Sequence, residues 1–252
     1  MAKIVMVHGA FNELWGPYEL KDRWLPALRD GLWHHNVTID EADVAICFYG
    51  DLFRLDPETI DRADWEQSRA GTEEFLRDRI TDSGGLESLE KAVNQAAWRR
   101  TVDLVTILSK DARVAQEARR RLLALLDEDT RVVVAHSLGT VLSYNALLAH
   151  PELNIDTLVT LGSPLGTSRI ANKLPPRGDD GLRPWPGNTQ RWVNIAALGD
   201  RVTGDGCLSA DFGPRVTDYK IDNGHRQHDP EPYLNAAITG DAVAAALSSA
   251  HC

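Results

Sequence analysis

The sequence predicts an α/β protein in which helices flank a mostly parallel central sheet. Short β-rich runs alternate with helical stretches along the chain, which is the pattern of parallel strands joined by crossover helices. Most of the runs are nearly continuous in Val, Ile, Leu and Ala, as expected of strands that are buried on both faces. No linker or internal repeat divides the 252 residues, so one domain over 1–252 is expected.

Six segments have the composition of strands, and the third is the clearest because Val fills three consecutive positions in it. Strands are predicted over residues 3–7, 43–49, 131–135, 157–161, 192–197 and 215–221. The last segment is more polar than the others, which predicts a position near an edge of the sheet.

Helical periodicity fills the intervals between these strands. Helices are predicted over residues 18–32, 112–126, 138–149 and 240–250. The second of them carries an apolar stripe at helical spacing, formed by Val114, Ala118, Leu122 and Leu125. Pro26 is expected to kink or interrupt the first helix, because proline removes a helical hydrogen bond and clashes with the preceding turn.

Two segments interrupt the alternation of strands and helices. Residues 55–110 are predicted to be a helical insertion, and residues 165–190 are rich in Pro and Gly. Loops this long in a compact domain are often functional, so we expect 165–190 to cover the site and both segments to border it. Their aromatic residues either line a pocket for an apolar group or pack the insertions onto the core; these are Trp65, Phe75, Trp98 and Trp185.

The chain is acidic, with 37 acidic residues, 27 basic residues and a formal net charge of −10. This balance repels phosphate backbones and so argues against a nucleic-acid partner. No apolar run approaches the ~20 residues of a membrane span. The apolar run at the N-terminus is too short for a secretory signal. We therefore expect a cytoplasmic protein without a membrane span.

The three cysteines, Cys47, Cys207 and Cys252, are widely spaced and include no C-x-x-C pair. That spacing predicts neither a disulfide framework nor a zinc site. Cys47 falls in a predicted strand and is expected to be a small core residue. The sequence predicts no metal and no other cofactor.

Ser137 lies where the third predicted strand meets the helix 138–149. A serine presented on such a sharp turn needs small residues two before and two after it, so that strand and helix can approach each other. Gly139 fills the second of these positions, and Ala135 adds one methyl group at the first. A nucleophilic serine also needs a base within hydrogen-bond reach. The alternative interpretation is a serine that caps the helix.

The run His8-Gly9-Ala10-Phe11-Asn12 follows the first predicted strand. Serine nucleophiles on strand-to-helix turns take one backbone N–H from a loop after an early strand and another from the residue after the serine. Ala10 or Phe11, together with Leu138, are therefore the candidate donors of an oxyanion hole. Gly9 by itself indicates only a tight turn.

Candidates for an acid and a base follow the next strands in the order serine, acid, histidine. Asp200 comes directly after the strand 192–197, and Asp205 is the alternative acid; either could also be a turn aspartate. His228 and His225 both follow the last predicted strand. We favour His228, because it stands just before a proline-rich helix start, with His225 as the alternative.

With these residues the chain resembles the α/β-hydrolase superfamily, and more closely its bacterial lipase- and esterase-like members. The resemblance is carried by His8-Gly9, Ala135-His136-Ser137-Leu138-Gly139, Leu161-Gly162-Ser163-Pro164-Leu165-Gly166, Asp200 and His228. It covers the chain from residue 3 to about residue 247 outside the two insertions. It implies an α/β-hydrolase fold and acyl transfer through Ser137, and it implies that alanine at position 135 is a variant found among bacterial lipases.

Three functions are compatible with the resemblance. The first is hydrolysis of an ester or thioester, and the second is transfer of the acyl group to another acceptor by the same triad. The third is a non-catalytic binding module, which the complete set of Ser137, Asp200 and His228 disfavours. The expected partner is a small-molecule acyl substrate, either free or carrier-bound; the sequence does not predict an oligomeric state.

Overall fold

Six parallel strands form one sheet in the computed structural model, which describes residues 2–10, 12, 14–53, 112–171 and 173–249. The strands are β1 (Ile4–Val7), β2 (Val44–Cys47), β3 (Val132–His136), β4 (Thr157–Leu161), β5 (Arg191–Ala197) and β6 (Val216–Ile221). Their order across the sheet is β2-β1-β3-β4-β5-β6, and every pair is parallel. The predicted α/β class with a parallel sheet is confirmed. The insertion 55–110 lies outside the described residues.

All six predicted strands are present, and their bounds differ from the prediction by at most two residues. The inner strands β1, β3 and β4 are buried at every position, which explains their continuous apolar sequences. In β6 only Val216 is buried, and β6 lies at an edge of the sheet, as predicted. The register pairs Val7 with Ala135 and Ala135 with Thr160, so the carboxyl ends of β1, β3 and β4 lie side by side.

Helices flank the sheet. They are α1 (Pro17–Trp33), α2 (Ala112–Leu123), α3 (Leu138–Ala149), α4 (Ser168–Ala171), α5 (Ser209–Phe212), α6 (Pro230–Leu234) and α7 (Ala237–Ser248). The predicted helix 112–126 ends at Leu123, and the predicted helix 240–250 begins at Ala237. None of the described helices is long and apolar enough to cross a membrane.

Pro26 does not interrupt α1, which continues from Pro17 to Trp33. An interior proline costs a helix about 3 kcal/mol. Pro26 itself is exposed, while Trp24 and Leu28 on either side of it are buried against the sheet. Burial of large apolar side chains stabilises a helix by about 1.5–3 kcal/mol per residue, which offsets the cost of the proline. Of the two expected effects of Pro26, the interruption is therefore wrong, and the kink stays a prediction.

Each face of the sheet has its own apolar cluster. On one face, α1 and α7 pack against alternate strand residues such as Met6 and Val134. On the other face, α2 and α3 pack against the intervening residues, such as Val5 and Val133. The alternation follows from the two-residue period of a strand. The prediction of helices on both faces is confirmed.

The part of the Pro/Gly-rich segment around Trp185 lies along the sheet face that α3 covers. The hydroxyl of Tyr144 donates to the carbonyl of Pro184 over 2.8 Å, and the Trp185 ring meets the Trp192 ring with centroids 5.8 Å apart. Trp185 therefore packs onto the core. This agrees with the interpretation that the aromatic residues of these segments pack the insertions onto the core. Trp65, Phe75 and Trp98 lie outside the described residues. The prediction that 165–190 covers the site stays a prediction.

Candidate active site

Ser137 occupies the turn between β3 and α3, at the carboxyl edge of the sheet. Its backbone has φ 52° and ψ −124°, and Asn36 is the other non-glycine residue with positive φ in the described part of the chain. A backbone of this kind costs about 1–3 kcal/mol and persists only where surrounding structure holds it. The N–H of Ser137 donates to the carbonyl of Leu161 over 2.9 Å, which fixes the turn to β4.

The Ser137 hydroxyl does not cap α3. No hydrogen bond runs from its side chain to the N–H groups of the helix, so the interpretation as a helix-capping serine is not supported. Its Oγ instead lies 2.9 Å from Nε2 of His228. The strained turn thus presents the hydroxyl to a histidine.

Glycines allow β1, β3 and α3 to meet at this turn. A Cβ on Gly139 would lie 2.5 Å from the carbonyl oxygens of both Val7 and His8. A Cβ on Gly9 would lie 2.6 Å from the Cβ of Ser137. Both distances are shorter than any side chain tolerates, so glycine is required at each position. Ala135 is fully buried in the apolar cluster beneath α3, where its methyl group adds to the core.

Ser137, His228 and Asp200 form a continuous line of hydrogen bonds. Nδ1 of His228 lies 2.8 Å from Oδ2 of Asp200, opposite the Nε2 that meets Ser137. A carboxylate only accepts hydrogen bonds, so Nδ1 carries the proton and Nε2 is left to accept one. Asp200 follows β5 and its side chain is fully buried, whereas 32 % of the His228 side chain is exposed. His228 is therefore the partly exposed member of the line, whereas Asp200 and Ser137 are both buried.

The alternative acid and base lie outside this cluster. Asp205 is exposed, and its carboxylate accepts the N–H of Cys207 over 3.0 Å, as in an ordinary aspartate turn. His225 is exposed in the turn after β6, three residues before His228. The structure brings Asp200 and His228 to Ser137 and leaves Asp205 and His225 apart from it.

Asp200 is held in the ionised form. Burial alone would raise its pKa, but the hydrogen bond and charge of His228 lower it, as do hydrogen bonds from the Tyr233 hydroxyl and the Val202 N–H. These contributions outweigh burial, so the pKa of Asp200 lies below its ordinary value. A buried carboxylate with three donors is a stable acceptor for the proton on Nδ1 of His228.

His136 holds the backbone of the histidine at the centre of this line. Its Nε2 donates to the carbonyl oxygen of His228 over 2.9 Å, and the two rings lie 4.8 Å apart between centroids. Burial, followed by the nearby charge of His228, lowers the pKa of His136 to about 3. His136 is therefore neutral at pH 7 and acts as a hydrogen-bond donor.

His8 holds the loop that follows β1. Its Nε2 accepts the N–H of Tyr49 over 3.1 Å, so its Nδ1 donates to the carbonyl of Gly9 at 2.7 Å. The Tyr49 hydroxyl donates in turn to the carbonyl of His8 over 2.6 Å, and the two rings stack 4.1 Å apart. Burial lowers the pKa of His8 to about 4, so this histidine is also neutral at pH 7.

The candidate oxyanion donors flank Ser137 on two sides. Leu138 is the first residue of α3, and N–H groups at a helix start have no partner within the helix. In the loop after β1, the Asn12 side chain donates to the carbonyls of Gly9 and Ala10 over 3.1 and 2.9 Å. Phe11 lies outside the described residues, so the choice between Ala10 and Phe11 stays open.

The sequence did not indicate Tyr233 and Thr140, which hydrogen-bond to Asp200 and Ser137. Tyr233 donates from its hydroxyl to Oδ2 of Asp200 over 2.7 Å. Thr140 donates to the carbonyl of Ser137 over 2.7 Å and is within 2.9 Å of the Ser163 hydroxyl. Tyr233 stands five residues after His228 in the sequence, but no pattern shows where a tyrosine hydroxyl will reach.

No protein-family model matches the chain, and no curated protein matches it. Within the described ranges, no group of three His, Cys, Asp or Glu side chains is arranged to hold a metal ion. The groups that this site supplies are a serine hydroxyl, an imidazole, a buried carboxylate and backbone N–H donors.

Proposed function

We propose that the chain is a serine hydrolase of the α/β-hydrolase fold, which cleaves an ester or thioester through an acyl-enzyme on Ser137. The observation that carries the proposal is the line of two hydrogen bonds from Ser137 Oγ through His228 to Asp200, 2.9 and 2.8 Å long. The order of the three residues after β3, β5 and β6 also supports it, as does the strained turn at Ser137.

In the first step, Ser137 Oγ attacks the carbonyl carbon of the substrate while its proton moves to Nε2 of His228. A carbon–oxygen bond forms, and the carbonyl π electrons move onto the oxygen. Asp200 keeps the second proton of the imidazole on Nδ1 and stabilises the imidazolium. The positive charge on His228 thus arises beside a carboxylate that is already ionised.

The tetrahedral oxyanion would be stabilised by the N–H of Leu138 and by one N–H from the loop after β1, that of Ala10 or Phe11. One such donor lowers the activation free energy by on the order of 3 kcal/mol. The α3 N-terminus adds a favourable partial positive charge at the same place. His8 and Asn12 hold the loop through the carbonyls of Gly9 and Ala10.

Collapse of the oxyanion expels the leaving group, an alcohol or a thiol, which takes the proton from Nε2 of His228. Water then attacks the acyl carbon and gives a proton to the same nitrogen. The bond between that carbon and Ser137 Oγ breaks, Oγ takes the proton back from Nε2, and the acid leaves. The partly exposed edge of His228 gives this water access to the base. The substrate is a small acyl compound, free or carrier-bound.

Labelling with a fluorophosphonate probe tests the proposal, because the probe reacts with an activated serine and forms a stable phosphonyl ester. Wild-type protein is expected to gain one probe mass, and Ser137→Ala is expected to gain none. Ser143→Ala is the matched control, since Ser143 lies buried on the same helix and its hydroxyl has no partner among the described residues. Labelling that survives in Ser137→Ala would disprove the proposal.

A second measurement separates hydrolysis from acyl transfer. Wild-type protein is mixed with p-nitrophenyl acetate and with an acyl thioester, and both the released group and the acylated protein are followed. Hydrolysis predicts continuous release in water alone. A single burst that stops until an alcohol or amine is added would show that Ser137 passes its acyl group to an acceptor other than water.

A further inference from the structure

A tyrosine hydroxyl and the candidate base meet at the same carboxylate oxygen. Oδ2 of Asp200 lies 2.8 Å from Nδ1 of His228 and 2.7 Å from Oη of Tyr233. The other oxygen, Oδ1, accepts the N–H of Val202 over 2.9 Å. The triad therefore continues one residue beyond its acid, to a fully buried side chain on α6.

The direction of the tyrosine hydrogen bond is fixed by a second contact. The N–H of Ala197, the last residue of β5, lies 2.7 Å from Oη of Tyr233. A backbone N–H can only donate, so Oη accepts there and directs its own hydrogen to Asp200. The hydroxyl thus bridges the end of β5 and the carboxylate three residues later.

This arrangement divides the charge of one oxygen between two donors. Charge-assisted hydrogen bonds to a carboxylate are about twice as strong as neutral ones. Two donors on the same oxygen compete for its negative charge, so each hydrogen bond weakens the other. A donor from Tyr233 therefore weakens the hold of Asp200 on a protonated His228 ring. It also fixes Oδ2 in the direction of Nδ1.

We propose that Tyr233 is a positioning residue for Asp200, one that also sets how readily His228 gives up its proton. The proposal rests on the proposed function, in which His228 must be neutral to accept the proton of Ser137. The Tyr233 hydroxyl makes no hydrogen bond to Ser137 or His228 and is linked to His228 through the carboxylate of Asp200.

In the described part of the chain, the side chains that contact the Asp200–His228 pair come from the end of β3 and from α6. From the end of β3 come Ser137 and His136, and His136 is kept neutral at pH 7 by burial. From α6 comes Tyr233, whose pKa is raised by burial and by the adjacent carboxylate, so that it keeps its proton. Between pH 5.5 and 9 the hydrogen bond from Tyr233 is therefore constant.

The test measures the rate of fluorophosphonate labelling of the full chain from pH 5.5 to 9. In wild type the rate is expected to fall on the acid side, because a protonated imidazole cannot accept the proton of Ser137. Tyr233→Phe keeps the buried ring and removes only the hydroxyl. In Tyr233→Phe, the pH at which the labelling rate is half-maximal on the acid side is expected to rise by about 0.5 to 1 pH unit. A hydrogen bond to a neighbouring charged group, here the carboxylate of Asp200, has effects of this size.

Tyr144→Phe is the matched control. Tyr144 lies on α3 and is also fully buried. Its hydroxyl donates one hydrogen bond, to the carbonyl of Pro184. Its removal should leave the midpoint of the labelling profile unchanged. An equal shift in both variants, or no shift in Tyr233→Phe, would overturn the proposal, because the hydroxyl of Tyr233 would then be a packing group only.

A second variant tests the opposite direction and keeps the hydroxyl in place. Site-specific incorporation of 3-fluorotyrosine at position 233 makes the hydroxyl a stronger donor, so the midpoint is expected to fall. Wild-type protein that does not react with the probe would count against the proposed function alone. NMR titration of the His228 ring in wild type and Tyr233→Phe would still test Tyr233, with an upward shift expected and an unchanged titration contradicting it.

Discussion

His136, the residue before the candidate nucleophile, donates a hydrogen bond from Nε2 to the backbone carbonyl of His228 over 2.9 Å. The end of β3 therefore carries both Ser137 and the donor that holds the histidine facing it. His228 otherwise belongs to a loop after the edge strand β6. The bond fixes this loop to the centre of the sheet and so sets the distance between Ser137 Oγ and His228 Nε2.

Loss of this donor is expected to slow the reaction without weakening substrate binding. His136→Phe fills the space but leaves the carbonyl of His228 unpaired, and a small misplacement of a reacting group can cost up to about 100-fold. We expect kcat for ester hydrolysis to fall by about 10–100-fold, with KM nearly unchanged. His136→Gln, whose amide can replace Nε2, should recover part of the rate. His150→Gln, at the exposed end of α3, is the control, and a normal kcat in His136→Phe would contradict the role of the bond.

Asp200 and Asp205 are distinguished by substitution with asparagine. Asp200→Asn removes the charge beside His228 and favours the wrong tautomer of the ring, which costs about 10⁴-fold in kcat in a well-studied protease. The exposed Asp205 carboxylate accepts the N–H of Cys207, away from His228, so Asp205→Asn should change kcat less than about twofold. Steady-state measurement of kcat with one ester substrate decides between the two aspartates. An equal fall of kcat in both variants would give Asp205 a role in the reaction, although its carboxylate lies apart from His228.

His228 and His225 are distinguished in the same way. His228→Ala removes the proposed base and should reduce kcat by about 10⁵–10⁶-fold, as removal of a single triad member can in a serine protease. His225→Ala removes an exposed side chain that lies three residues away and should leave kcat within about twofold of wild type. The probe-labelling rate gives the same comparison without a substrate. The reverse pattern would move the base to His225.

The fold class was predictable because the sheet is buried on both faces. β3 has the sequence Val-Val-Val-Ala-His and is buried at all five positions, so its apolar run appears directly in the sequence. The order of strands could not be derived, since β1 pairs with both β2 and β3, and β3 lies more than 80 residues beyond β2. The continuity of α1 through Pro26 could not be predicted, because the packing on either side of Pro26 is not visible in the local sequence.

The candidate site was predictable as far as chain order determines it. The carboxyl ends of parallel strands meet at one edge of the sheet, so residues that follow β3, β5 and β6 come together there. Chain order does not separate His225 from His228, because both follow the same strand. The contacts of Tyr233 and His136 depend on the positions of a hydroxyl oxygen and a ring nitrogen, which only the packed structure determines.

The two buried neutral histidines are expected to make the protein acid-sensitive. Burial lowers the pKa of His8 to about 4 and that of His136 to about 3, from an ordinary value of 6.5. Below pH 6.5 the unfolded chain binds these protons and the folded chain does not. The free energy of unfolding should therefore fall as pH falls from 6.5 towards 4, by about 1.4 kcal/mol per pH unit for each histidine.

Urea denaturation at pH 7, 6 and 5 measures this dependence. His136→Gln should lose about half of the slope between pH 6 and 5, because one of the two groups no longer titrates. His225→Gln should keep the full slope, since His225 is exposed. A slope in His136→Gln equal to that of wild type would show that protonation of His136 does not limit stability.

Gly139 is expected to be the least replaceable residue of the turn at Ser137. A Cβ there would lie 2.5 Å from two backbone carbonyl oxygens at the end of β1, those of Val7 and His8. In an open helix position, Gly→Ala would stabilise by about 1 kcal/mol. Here the backbone must move apart, and overpacking of this kind costs about 1–3 kcal/mol. The displaced element is the loop after β1, so the labelling rate of Ser137 should fall together with stability.

Gly16→Ala provides the comparison, because a Cβ on Gly16 would meet no atom within 4 Å and its φ of −126° suits any residue. Gly16 is the N-cap of α1, where alanine is less favourable than glycine, so the free energy of unfolding should fall by at most about 1 kcal/mol, with normal labelling. The two variants are compared by urea denaturation and by the rate of probe labelling. A Gly139→Ala protein that matches Gly16→Ala in both would mean that β1 and α3 can separate without cost. The contact between the oxyanion loop and the turn at Ser137 would then not position the donors of the proposed reaction.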